Sequence, residues 1–263
     1  RLAVMVERLA DKSQDRTTEA LGPSVAQAKA ADGAWTPAAV GFARGQGVSL
    51  DDVGVKDTDR GPRLVAVKRF PGVATEKLLP ELVAAWVARL TFPKSMVWEE
   101  GLQAFARPIR WLLALHGTKV VPLVVAGVKS GKKTRGLRFH APKPVDVPAP
   151  AKYVSLLRNH CVIVDPSERR ALIVQQINQA VKAVHGHVPL DRCHDLLDEV
   201  TQLVEHPVAI LGRFNEKHLA LPPEVLVTSM KKHQKYFPVF ADAAGVALTA
   251  HFVGIRNGLS DHQ

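Results

Sequence analysis

The passage from Cys161 to Gly186, CVIVDPSERRALIVQQINQAVKAVHG, constrains the fold more than any other stretch. A short apolar strand pattern ends at Asp165. Asp165 is placed as an N-cap, and Pro166 fits the first helical position, where a missing N–H costs little. Glu168 is spaced to reach back to the cap. Leu172, Ile173, Ile177, Ala180, Val181 and Val184 then recur at helical spacing, and Gly186 stops the pattern. A second periodic stretch, DRCHDLLDEVTQLVEHP, sets Leu196, Leu197, Val200, Leu203 and Val204 inside and ends before Pro207. The segment 166–205 is therefore expected to be a two-helix unit.

Elsewhere the patterns are shorter. Leu2–Leu9 alternates loosely and reads as a strand, followed by a polar run to Leu21. A helix is expected from an N-cap at Ser24 to a stop at Gly33. Another is capped by Thr36, opened by Pro37 and ended by Gly45 and Gly47. SLDDV reads as a short helical turn and Arg63–Phe70 as a strand. ATEKLLPELVAAWVARL reads as a long helix with Leu78, Leu82, Ala85, Trp86 and Leu90 on one face and Pro80 near its first turn. Arg107–Val128 suggests two strands around His116–Lys119. SGKKTRGLRFH reads as a basic turn leading into a strand. VAILGRF is a strand, PPEVLVTSMKKHQ a helix, and KYFPVFADAAGVALTAHFVGIRN a hairpin turning near Ala243–Gly245. No βαβ period is present, so the expected class is α+β with mostly antiparallel sheets and packed helices. Pro142, Pro144, Pro148 and Pro150 mark the best internal boundary and divide the chain into subdomains 1–147 and 148–263.

The 263 residues suffice for one large core or two smaller ones. No run of apolar residues is long enough to span a membrane; Ile109–Val128 is broken by Arg110, His116, Lys119 and Pro122. Arg1 opens as if in mid-strand and GLSDHQ ends without a structural close, so the chain is expected to be a piece of a longer protein. Cys161 and Cys193 have no metal or disulfide spacing and read as reduced thiols of a cytoplasmic protein. The net charge of +10, from 35 Lys+Arg against 25 Asp+Glu, favours phosphate-rich partners, nucleic acid first.

Most catalytic constellations fail on spacing. Eleven histidines are present, yet no HxxxH or HExxH pair occurs, and His185 and His206 fall at expected helix ends. SGKKTRG (Ser130–Gly136) contains GKKT, but the first glycine of a P-loop is absent and a strand follows. There is no GxSxG elbow, and the carboxylate pairs Glu99–Glu100, Asp51–Asp52 and Asp198–Glu199 are sequence neighbours, which suits a solvated face. Two basic runs remain. Lys129, Lys132, Lys133, Arg135 and Arg138 crowd one turn beside Phe139 and His140. Lys231, Lys232, His233 and Lys235 precede Tyr236 and Phe237 in MKKHQKYFPVF. By residue type this second run is either the basic end of a helix before a buried aromatic strand or a surface for RNA.

A longer stretch carries a resemblance. LLDEVTQLVEHPVAILGRFNEKHLALPPEVLVTSMKKHQKYFPVF is similar to the β subunit of bacterial heterotetrameric glycyl-tRNA synthetase. The phrases that match are Glu199-Val200-Thr201, Leu203-Val204-Glu205, Pro207, Phe214, Leu219, Leu221-Pro222, Glu224–Val227, Ser229-Met230 and His233–Val239. LGPSVAQAKAADGAWTPAAVGFARGQGV, FPKSMVWEEG, FARPIRWLLALHG and TRGLRFH match earlier phrases in order. Val97 and Leu137 stand where the family has Arg and His. The resemblance implies the amino-terminal part of the subunit, without the HD-type and anticodon-binding regions. It implies no catalytic residue here, and an active site on the α subunit that uses ATP and Mg²⁺. The implied partners are the α subunit, in a heterotetramer of two α and two β subunits, and tRNA-Gly, in the cytoplasm. Lys132, Lys133, Arg135 and Arg138 are the candidates for tRNA contact, with Lys231, Lys232, His233, Lys235 and Tyr236 as a second patch. The alternatives are an editing-type hydrolase of mischarged tRNA, as related regions serve in phenylalanyl-tRNA synthetase β subunits, and a pure subunit-docking scaffold.

Overall fold

Three successive residues, Leu64, Val65 and Ala66, are buried, which a strand achieves only where both of its faces are covered. They lie at the centre of β3 (Gly61–Phe70), between β1 (Arg16–Ser24) and β2 (Val53–Thr58) in an antiparallel sheet. The computed structural model describes residues 1–30, 33–98, 100–101 and 104–259. It divides into two units, Val6–Trp86 and the joined segments Arg1–Met5 and Val87–Gln263. Ala31 and Asp32, Glu99 of the Glu99–Glu100 pair and the ending Ser260–Gln263 lie outside the described residues.

In the smaller unit, α1 (Val25–Ala28) and α2 (Pro37–Gln46) cover one face of the sheet, where Ala28, Ala39 and Leu64 form a core with Trp35 and Phe42 packed against it. The Thr36 side chain accepts from the Ala39 N–H, and Gly47, at φ +67°, ends α2 as expected. Three expectations change. Leu2–Leu9 is irregular and exposed, because it has no neighbouring strand to pair with. The polar run instead forms β1, held by pairing along β3. The helix from Ser24 shrinks to one turn, because a bridge between Lys29 and Trp35 draws the chain into extended form. The helix α3 (Thr75–Ala88) forms, but Leu82 and Trp86 of its expected inner face are exposed while Val87 is buried.

The larger unit begins with short strands. β4 (Met96–Val97) pairs with β5 (Ala104–Phe105). β6 (Leu112–Leu113) runs parallel to β10 (Val128–Gly131). β7 (Leu115–His116) and β8 (Lys119–Val120) make the hairpin expected around Gly117, and β9 (Val124–Val125) pairs with β10. β11 (Lys133–Arg135) pairs with β12 (Pro144–Asp146). The proline-rich segment lies within this unit: Val147 N–H donates to Lys132 O at 2.8 Å.

Beyond α4 (Tyr153–Asn159), the main core is built by α5 (Pro166–Lys182) and α6 (His194–Leu203) on a sheet ordered β13 (Pro207–Arg213), β15 (Leu248–Asn257), β14 (Tyr236–Phe240). Ile173, Ile177 and Val181 meet Leu196, Leu197, Val200, Phe237, Val239 and Val253 there. A short helix, α7 (Pro223–Thr228), precedes β14. Asp165 caps α5 through the Ser167 N–H as expected. Glu168 does not reach back to the cap; the Arg158 guanidinium takes its carboxylate instead. CVIV is not a strand. Cys161 turns at φ +59°, and Val162 and Ile163 are buried in irregular chain, where Ile163 N–H finds Glu205 O. Leu203 is 61% exposed, and Thr201 takes the inward place, its hydroxyl donating to Leu197 O. The edge of β13 is closed by one side chain: Gln176 accepts from Ala209 N–H and donates to Pro207 O. Among the described residues no helix is long and apolar enough to cross a membrane.

The left-handed residue after α5 is His185, at φ +51°, and not Gly186. Gly186 is required for space: a Cβ there would lie 2.4 Å from Val239 Cγ1, where Val239 is fully buried. Gly186→Ala is expected to cost about 1–3 kcal/mol through overpacking. Urea unfolding checks this, and an unchanged midpoint would refute the close approach.

Candidate nucleic-acid interface

The first basic run is placed by strand alternation. Thr134 of β11 is 2% exposed, so Lys133 and Arg135 on either side of it point to the opposite face, where both are exposed. Lys132, exposed, joins β10 to β11, and Lys129 is exposed on β10. Asp146 stands opposite Lys133 in the β12 register, and an Arg135 guanidinium N–H donates to Pro142 O at 3.2 Å. Arg138 is not in a strand as expected. Leu137 O accepts from both His140 and Ala141 N–H, at 3.1 and 2.7 Å, and closes a turn. Leu137 itself is buried against Leu157 and Val162. The turn approaches His160 so closely that a Cβ on Gly136 would meet His160 O at 2.6 Å. Arg138 and Phe139 are left exposed on this anchored turn.

The second run is largely part of the fold. A π-helical turn, Ser229–Gln234, buries Met230, and Lys235 at φ +58° reverses the chain into β14. Lys231 Nζ donates to Arg192 O at 2.5 Å, and Lys235 Nζ pairs with Glu199 Oε2 at 2.7 Å. Tyr236 stacks on Phe252 with ring centroids 4.5 Å apart, so one ring face is taken, and Phe237, Val239 and Phe240 are buried. Lys232 and His233 are exposed. The basic end of a helix before a buried aromatic strand is thus the arrangement found.

A charged cluster missed in the sequence supports the first run. The Arg1 guanidinium donates to both Glu205 carboxylate oxygens, at 2.5 and 2.9 Å, and to Arg135 O at 2.8 Å. It also lies 6.0 Å from the Trp111 ring centre. Arg169, 8% exposed, donates to Thr201, Ile163 and Val164 carbonyls, and burial lowers its pKa. The signal available was position: Arg169 lies four residues before Ile173 on the buried stripe of α5. Burial disfavours the Glu205 carboxylate, but the hydrogen bonds and charge of Arg1 outweigh it, so the group is held below its ordinary 4.5. A lowered carboxyl stabilises the fold above its ordinary value, and the contribution is lost as pH falls through the lowered one. Unfolding measured across the acid range is therefore expected to show a loss below about pH 4.5 that is smaller in Glu205→Gln. An identical acid limb in the variant would exclude this.

The GKKT sequence does not fold as a P-loop. SGKKTRG is strand, turn and strand, with no helix N-terminus to receive a phosphate. Among the described residues, no three His, Cys, Asp or Glu side chains converge as metal ligands. Burial pushes the Cys193 thiol up, away from nucleophilic use.

The class these features define is an α+β protein with a cation-rich solvent-facing turn and a second basic run set in the turn that leads into a core strand. The chain belongs to the glycyl-tRNA synthetase beta subunit family, whose model matches residues 1–263. It is 43% identical over 263 residues to the glycine–tRNA ligase beta subunit of Shouchella clausii, covering 100% of this chain and 37% of that protein. It is 42% identical over 262 residues to the Moorella thermoacetica beta subunit, covering 100% and 37%. For the Bacillus subtilis beta subunit it is 42% identical over 261 residues, covering 99% and 37%. The chain therefore spans little more than a third of the length of these relatives.

Proposed function

We propose that this chain is a tRNA-binding and subunit-docking portion of a glycine–tRNA ligase β subunit, acting in the cytoplasm. The observation that carries it is the match of all 263 residues to the beta-subunit family. The exposed Lys132, Lys133, Arg135 and Arg138 on one anchored hairpin and turn supply the chemistry for backbone phosphates. In this reading the α subunit provides the active site, with ATP and Mg²⁺ bound there, and two α and two β subunits assemble around tRNA-Gly. A pure docking role is the second reading; it is favoured for the 231–236 run, whose Lys231 and Lys235 are bonded within the fold.

The test is fluorescence anisotropy of labelled tRNA-Gly and a non-cognate tRNA against the full-length protein, with and without α, at low and physiological salt. Binding that weakens steeply with salt supports direct contact. A stable complex with α and no tRNA affinity from this portion's basic residues leaves docking as the role.

A further inference from the structure

Phe139 is 88% exposed, more than any other large apolar residue described. A single exposed apolar residue is ordinary by itself; what sets this ring apart is its place, on a fixed turn among cations. It is not on a loose segment. Its turn is tied down by the buried Leu137, by the Leu137 O bonds to His140 and Ala141, and by the close packing of Gly136 on His160. Beside it in the chain, His140, Ala141, Pro142 and Lys143, with Val145 and His160, line a shallow cleft of about 300 Å³. That is the lower end of the size that takes a small planar ligand. The His160 ring is fixed, since its Nδ1 lies 2.8 Å from Leu156 O and so carries the proton. Around the turn stand the exposed cations Lys132, Lys133, Arg135, Arg138 and Lys143.

A patch made only for duplex backbone needs cations and no aromatic at its crest. A projecting ring beside a cleft walled by imidazoles, set among cations, suits a base that has left its stack, with its phosphates on the surrounding charges. The geometry points to the Leu137–Lys143 turn as a subsite for an unpaired nucleotide of RNA, stacked on Phe139 beside the His140–His160 cleft. This rests on the tRNA-binding reading and narrows it, from phosphate contact in general to a single-stranded or flipped-out position. Because the ring is already in solvent and the turn already formed, little ordering is required on binding.

The experiment compares the full-length protein with its Phe139→Ala, Phe139→Trp and Lys133→Glu/Arg135→Glu variants. The probes are a labelled single-stranded RNA of about 12 nucleotides, carrying one 2-aminopurine, and the corresponding blunt duplex. Phe139→Ala is expected to weaken single-strand binding by about 5- to 150-fold and relieve 2-aminopurine quenching. The salt slope and the duplex affinity should stay unchanged, and Phe139→Trp should retain binding. Equal loss on both probes, or no loss on the single strand while the charge reversals still weaken both, would overturn the subsite and leave the phosphate-contact reading standing. No effect of either the aromatic or the charge variants would overturn both.

Discussion

Phe237→Ala is expected to destabilise the larger unit by about 3–5 kcal/mol. Phe237 is fully buried on β14, in one cluster with Ile173, Ile177, Leu197 and Val253. The cluster it belongs to draws residues from α5, α6, β14 and β15. No single one of them can close the space that the ring would vacate, because the sheet register holds Phe237 against Val253. Against a total stability of about 5–15 kcal/mol, a loss of this size leaves the native state marginal. Urea unfolding followed by circular dichroism measures it as a lower midpoint at unchanged slope. A loss under about 1 kcal/mol would mean that the ring is not a core residue.

The second large effect concerns binding. Lys133→Glu with Arg135→Glu removes two neighbouring cations from one face of β11 and adds two anions near Asp146. On the proposed tRNA-binding role, the salt slope of tRNA binding in the full-length protein should fall by about two, and affinity at low salt by about tenfold or more. Stability should hardly move, since both side chains are exposed. Reversing Lys231 and Lys235 should do the opposite. Those ammonium groups are committed to Arg192 O and Glu199, so stability falls by up to about 1 kcal/mol for the exposed pair while tRNA affinity changes little. If the two variants behave alike, the distinction between a surface run and a structural run is wrong.

Local chemistry was readable wherever one segment settles its own structure. Thr36-Pro37 with Gly47, and Asp165-Pro166, start and stop helices through bonds to the next turn, so neighbours in sequence suffice. Glu168 shows the limit: a capping spacing is a standing offer, and Arg158, ten residues away, made a better one. β1 was unreadable for a related reason. Arg16–Glu19 carry no apolar alternation, and their strand exists because β3 lies alongside.

The sequence by itself determined the family, the α+β class, the helical pair at 166–205 and the excess of positive charge, since each is written in composition, periodicity or ordered phrases. Only the tertiary structure decided which charges are available. Lys235 and Lys133 are the same residue type, each in a basic run, yet one is paired with Glu199 across 36 positions while the other stands on an exposed strand face. It also decided that Tyr236 is stacked on Phe252 while Phe139 faces water. The physical reason is that exposure and pairing are properties of what folds against a residue, and those neighbours come from distant parts of the chain.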